Sequence, residues 1–181
     1  MKYESSFKSE ADGLEISVMA LIPDKKPYRA VVQLVHGMSE HKERYIPFMQ
    51  YLAKLGYVVV IHDHRGHGKS VKHQDDLGFT YGGGAQAMLQ DIRTVNRKIH
   101  AYYPELPLIL MGHSMGSFLV RRTMQLRSDM FDGLILSGTG DGQGIVGKAG
   151  VRMAAMGCML AGQEAHAVQL QKMMSVSYTH P

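Results

Sequence analysis

Four short, nearly unbroken apolar runs limit most strongly what this chain can fold into: AVVQLV at 30–35, YVVVI at 57–61, LILM at 108–111 and GLILS at 133–137. A strand with one wet face alternates apolar and polar residues. A run without that alternation reads as a strand buried on both sides, the condition of a parallel sheet covered by helices. Helix-length segments fall between these runs. Residues 43–55 place Tyr45, Phe48, Met49 and Leu52 on one face, and Gly56 stops the helix. Residues 84–101 carry Met88, Ile92, Val95 and Ile99 at helical spacing, and 115–127 form a third helix. Two further strands, 2–8 and 14–22, turn at Asp12-Gly13. The order predicts an α/β fold with a mostly parallel sheet and helices on both faces.

Composition removes several function classes. The 181 residues are 45% hydrophobic and 20% charged, enough for one soluble globular core. The net charge is only +4 and the basic residues are scattered, which argues against a nucleic-acid partner and allows at most a transient contact with an anionic membrane surface. A single cysteine, Cys158, permits no internal disulfide. The first residues, MKYESSFKSEADG, lack the apolar core of a signal peptide, and no stretch is long enough to span a bilayer. The expected location is the cytoplasm. Residues 1–138 are expected to form the catalytic core. Residues 139–181, rich in Gly, Ala and Met, are expected to form a helical cap with helices near 143–161 and 164–174. Its five methionines suit a lid over an apolar pocket, with ordinary packing of two amphipathic helices as the alternative.

The chemistry concentrates around Gly112–Gly116, GHSMG, a G-x-S-x-G pattern lying between a predicted strand and a predicted helix. Ser114 in such a tight turn is lifted above the sheet edge with a helix N-terminus beneath it, the setting of a catalytic nucleophile. Gly112 and Gly116 leave room where a Cβ would clash. His36-Gly37 follows the first buried strand and forms a turn able to offer a main-chain N–H to an oxyanion. Met38 and Met115 are then the two oxyanion donors, through their backbones. HDHRGHGKS at 62–70 gathers His62, Asp63, His64 and His67. Arg65 among them, and the lack of a helical His pair, argue against a metal site, and no cofactor is expected. His113, beside the serine, is expected to point away from it.

LVHGMSEHKERY, HDHRGHGKS and LMGHSMGS, in this order and spacing, resemble the monoacylglycerol lipase and lysophospholipase group of the α/β-hydrolase superfamily, also described as serine aminopeptidase S33-like. The resemblance covers about residues 10 to 140 and extends loosely into the cap. It implies hydrolysis of small-molecule acyl esters of glycerol or lysophospholipid type through an acyl-enzyme on Ser114, without a cofactor. In this fold the triad runs Ser, Asp or Glu, His. After Ser114 the histidines are His166 and His180, and the acids are Asp129, Asp132, Asp141 and Glu164. The strands that carry the acid and base in the resembling family have no counterpart here. The chain is therefore expected to match the N-terminal part of such an enzyme, C-terminally truncated within the cap, with no triad acid or base identified and with weak or absent activity. Asp141 and His180 are the candidates for a local substitute. A non-catalytic acyl-binding or interaction module, or a peptidase of the same superfamily, is the alternative function. The strand at 133–137 would be an exposed apolar edge that favours association, although the sequence sets no oligomeric state.

Overall fold

The computed structural model describes residues 1–140, which build a six-stranded sheet. The strands are β1 (Lys2–Lys8), β2 (Glu15–Leu21), β3 (Val31–Val35), β4 (Val58–His62), β5 (Leu108–His113) and β6 (Gly133–Ser137). They lie in the order β1-β2-β4-β3-β5-β6. β1 and β2 form an antiparallel hairpin that joins the sheet antiparallel to β4. The other pairings, β4 with β3, β3 with β5 and β5 with β6, are parallel. The mostly parallel sheet read from the apolar runs is therefore present, with an antiparallel wing at its N-terminal side. Met1–Thr139 make up one compact unit.

Every residue of β3 and β4 is buried, as expected of runs without alternation. One face of the sheet, with Val31, Val35, Val58, Leu108 and Leu110, packs on α2 (Gly84–Tyr102) and α3 (Met115–Leu126). The opposite face, with Val32, Leu34, Val59 and Ile61, packs on α1 (Ile46–Lys54) through Met49. Each such side chain is worth about 1.5–3 kcal/mol when fully buried. Gln33 lies inside this apolar layer because its amide is satisfied. Its Nε2 donates to the Ile92 carbonyl at 2.9 Å and its Oε1 accepts from Asn96 Nδ2 at 3.4 Å.

The helix expected at 43–55 begins later than its apolar pattern suggests. Lys42–Tyr45 form a 3₁₀ turn and the α-helix starts at Ile46. Pro47 explains the break. Within a continuous α-helix its ring would press on the carbonyl four residues earlier, at Glu43, whereas in a first turn it fits without loss. The face shifts as well: Met49 is wholly buried, while Phe48 is 37% exposed. Among the described residues β6 is the outer strand, and Ile135 and Leu136 stay exposed on it. The helices expected at 143–161 and 164–174 lie outside the described residues.

Candidate active site

Two turns meet at the carboxyl ends of β3 and β5, the end of a parallel sheet where ligand sites collect. The second turn is a single residue. β5 ends at His113, α3 begins at Met115, and Ser114 sits between them with φ 49° and ψ −119°. That left-handed backbone costs a non-glycine residue on the order of 1–3 kcal/mol and persists only where the surroundings impose it. Here they do. The Ser114 N–H donates to the Ser137 carbonyl at 2.9 Å, and the Ser114 carbonyl accepts from the Ser117 N–H at 2.8 Å and the Ser117 hydroxyl at 2.6 Å. A Cβ on Gly112 would overlap the Gly116 carbonyl, and one on Gly116 would overlap the carbonyls of Val35 and His36. Only glycines permit this approach between β5, α3 and the chain leaving β3. As the first residue of α3, Met115 has an N–H with no intrahelical acceptor, at the positive end of the helix dipole.

The first turn, His36–Glu40, lies against the serine: a Cβ on Gly37 would come within 3.1 Å of the Ser114 Cβ. It is held by side chains. His36 Nδ1 donates to the Gly37 carbonyl at 2.7 Å, and Glu40 Oε2 accepts the Gly37 N–H at 2.7 Å. Met38 follows, 39% exposed, and Ser39 turns the chain at φ 60°. Glu40 is anchored in turn by the Tyr45 hydroxyl at 2.7 Å and by Arg44 at 3.4 Å. Burial pushes the Glu40 carboxyl up, but the Tyr45 and Gly37 hydrogen bonds, helped by the charges of His113 and Arg44, hold it below the usual range.

Behind this turn stands the loop that follows β4. The His64 N–H donates to His36 Nε2 at 3.0 Å, and His64 Nε2 donates to the His36 carbonyl at 3.1 Å. These partners fix His36 as the neutral Nδ1–H tautomer. Burial drives its pKa down to about 4. Burial and the neighbouring His36 take His62 to about 3, and His64 also lies well below its usual value. The loop's charges are internal too. Asp63 accepts from Lys42 Nζ at 2.6 Å, and from the N–H groups of Lys42 at 2.7 Å and Lys69 at 2.9 Å. Arg65, with no exposed side chain, donates to Asp91 at 3.0 Å, Asp12 at 2.9 Å and Ser9 at 2.9 Å. The histidines thus pack on one another, and among the described residues no group of three or more His, Cys, Asp or Glu is placed to hold a metal ion.

The geometry therefore brings together Ser114, Gly37, Gly112 and Gly116, with Met38 and Met115 as the next residues along each turn. Among the described residues it brings no base to the serine. Among the described residues the Ser114 hydroxyl makes no hydrogen bond, and His113 turns aside to Ser137 Oγ at 3.1 Å. Asp129 pairs with Arg127, and Asp132 accepts the Leu108 N–H at 2.8 Å, so neither faces the serine. Asp141, Glu164, His166 and His180 lie outside the described residues. A cavity of about 610 Å³ opens elsewhere, between Met1, Ile22 and the end of α1, and does not include Ser114. No helix among the described residues is long and apolar enough to cross a membrane. The sequence reading missed Glu40. Its signal was present: a carboxylate three residues after the glycine of an HG turn can reach back to that turn's N–H, as an Asx or capping side chain does.

A mostly parallel sheet with a strained serine between β5 and α3 defines an α/β-hydrolase fold. The model of the family described as "Serine aminopeptidase, S33" (Hydrolase_4) matches residues 26–156, and the chain belongs to that family. It is 33% identical over 126 residues to the monoglyceride lipase of Rattus norvegicus, an alignment covering 70% of this chain and 40% of the relative. It is 34% identical over 129 residues to the monoacylglycerol lipase of Mycolicibacterium smegmatis, covering 70% and 43%. Among solved structures, a thermostable carboxyl esterase from Bacillus coagulans in complex with glycerol superposes with a TM-score of 0.81 at 31% identity, covering 94% of this chain and 55% of that one. The chain thus spans about 40% of the length of these two lipases.

Proposed function

We propose that this chain is the nucleophile-bearing part of a serine hydrolase that cleaves carboxylic esters of acyl glycerol or lysophospholipid type. The observation that carries the reading is Ser114, held at φ 49° at the head of α3 with the Gly37 turn packed against it. The names of the relatives favour glycerol esters over peptides. In the proposed reaction Ser114 Oγ bonds to the ester carbonyl carbon, its proton passes to a base, and the Met38 and Met115 N–H groups receive the charge on the carbonyl oxygen. Collapse breaks the bond to the alcohol oxygen. The alcohol leaves with that proton, and water then releases the acid from Ser114. The base and its orienting acid are inferred to come from outside residues 1–140, because no histidine within them faces the serine. Residues 139–181 are proposed as part of a cap over the acyl chain.

Labelling with a fluorophosphonate, wild type beside Ser114→Ala, tests this. The expected result is one label, on Ser114, absent from the variant. Equal labelling of the variant, or none in a folded wild type, overturns the reading and leaves an acyl-binding module in its place.

A further inference from the structure

We propose that Glu40 is a positioning residue for the oxyanion turn: its carboxylate takes the Gly37 N–H out of the site and ties the turn to the head of α1, leaving the Met38 N–H as the turn's free donor. The inference rests on the serine hydrolase reading above and deepens it.

An oxyanion hole works only when its donors are aimed in advance and not already engaged. A turn such as His36–Glu40 offers two adjacent N–H groups, and either could compete for the developing charge. The structure removes one of them. The Gly37 N–H is held by Glu40 Oε2 at 2.7 Å and the Gly37 carbonyl by His36 Nδ1 at 2.7 Å, so both main-chain polar groups of Gly37 are engaged by side chains, and the carbonyl bond also holds the peptide unit that carries the Met38 N–H. Among the described residues the Met38 N–H makes no hydrogen bond. Glu40 is itself fixed: Tyr45, at the start of α1, donates to the same Oε2 at 2.7 Å, and Arg44 lies 3.4 Å from Oε1. Glu40 Oε2 and the Ser114 Cβ lie 2.9 and 3.1 Å from one point, the position of a Cβ on Gly37, so the clamp acts beside the nucleophile. A bare carboxylate there would oppose an oxyanion. Two hydrogen bonds and the Arg44 charge offset it, so the group can serve as an anchor without spoiling the field it supports.

Glutamine at this position keeps an acceptor for the Gly37 N–H and loses only the charge. Alanine loses both. The test therefore compares Glu40→Ala, Glu40→Gln and Tyr45→Phe by two readouts: hydrogen exchange of the Gly37 amide, and the rate at which a fluorophosphonate labels Ser114. Glu40→Ala should release the Gly37 amide and slow labelling about tenfold or more, the scale on which small displacements of catalytic groups act. Glu40→Gln should restore both to within about threefold, and Tyr45→Phe should move both in the direction of alanine by less. A merely structural glutamate would not give rescue by glutamine in step with one amide. If Glu40→Ala does not fold, Tyr45→Phe carries the same two readouts. A Gly37 amide still protected in Glu40→Ala overturns the inference, as does a released amide with an unchanged labelling rate. If the folded wild type never labels, the functional reading fails by itself. The clamp is then decided by the Gly37 amide: loss in alanine with recovery in glutamine sustains it, and protection in both overturns it.

Discussion

The two turns that meet at the serine are built on different principles. The turn at Ser114 is held by main chain and by the absence of side chains. Its N–H and carbonyl are bound to Ser137 and Ser117, and Gly112 and Gly116 let backbones touch. The turn at Gly37 is held by side chains that titrate: Glu40 in front, His36 and His64 behind. A steric joint tolerates changes of pH and fails when an atom is added. A polar joint tolerates small changes of volume and fails when a proton or a partner is moved.

The sharpest break on the polar side is expected at Arg65, which stands next to His64. Arg65→Met would leave Asp91, 2% exposed, without its cation, and losing one member of a buried pair costs about 3–5 kcal/mol. Chemical denaturation should show a correspondingly lower midpoint with an unchanged slope. The steric side should break next. Gly116→Ala drives a methyl into the carbonyls of Val35 and His36, which as backbone cannot swing away, and about 3 kcal/mol of stability is expected to be lost. The same added methyl at Gly13, where nothing lies within 4 Å, supplies the control for space, although its φ of 75° carries a backbone cost of its own.

Acid should separate the two turns without mutation. His36 binds its proton near pH 4 in the folded chain and near 6.5 when unfolded, so between these values the unfolded chain holds the extra proton. Stability is complete above that window and falls as pH drops through it, by about 1.4 kcal/mol per pH unit for each such histidine. His62, depressed to about 3 by burial, adds to the same slope. The Gly37 amide resonance of the folded chain should move as pH nears 4, where His36 takes up its proton, while that of Ser114 stays nearly fixed. A Ser114 amide that shifts equally would dissolve the contrast. The smallest expected effect is a gain: Ser114→Gly removes a side chain from the left-handed backbone and should raise stability by about 1 kcal/mol, read as a higher Tm.

The His36-Gly37 turn was located in the sequence, but the steric turn was the one whose supports were legible there as well. Strand 108–111, the helix after it and the two glycines are local and contiguous, so pattern alone located Ser114 between them. The buried strands were readable for the same reason: their apolar runs need no partner to be recognised. The support behind the polar turn was not readable, because its bonds join distant positions. Arg65 meets Asp12 across 53 residues and Asp91 across 26, and His64 meets His36 across 28. A charged residue in a loop reads as solvated until the fold supplies its counter-charge. Asp91 gave a local hint, since it falls on the apolar stripe of α2 between Met88 and Val95, where a carboxylate is tolerated only if paired. Pro47 misled more gently, letting an apolar face run on through a 3₁₀ turn that the α-helix does not include.

One hydrogen bond described above has a mechanical meaning. The β5–β6 ladder runs from Ile109 opposite Gly133 to His113 opposite Ser137, and the Ser114 N–H on the Ser137 carbonyl is its next rung. Ser114 is thus coupled in series to the outer strand of the described sheet. A push or pull on β6 is transmitted along that ladder to the joint itself, so β6 is the lever arm and Ser114 the fulcrum.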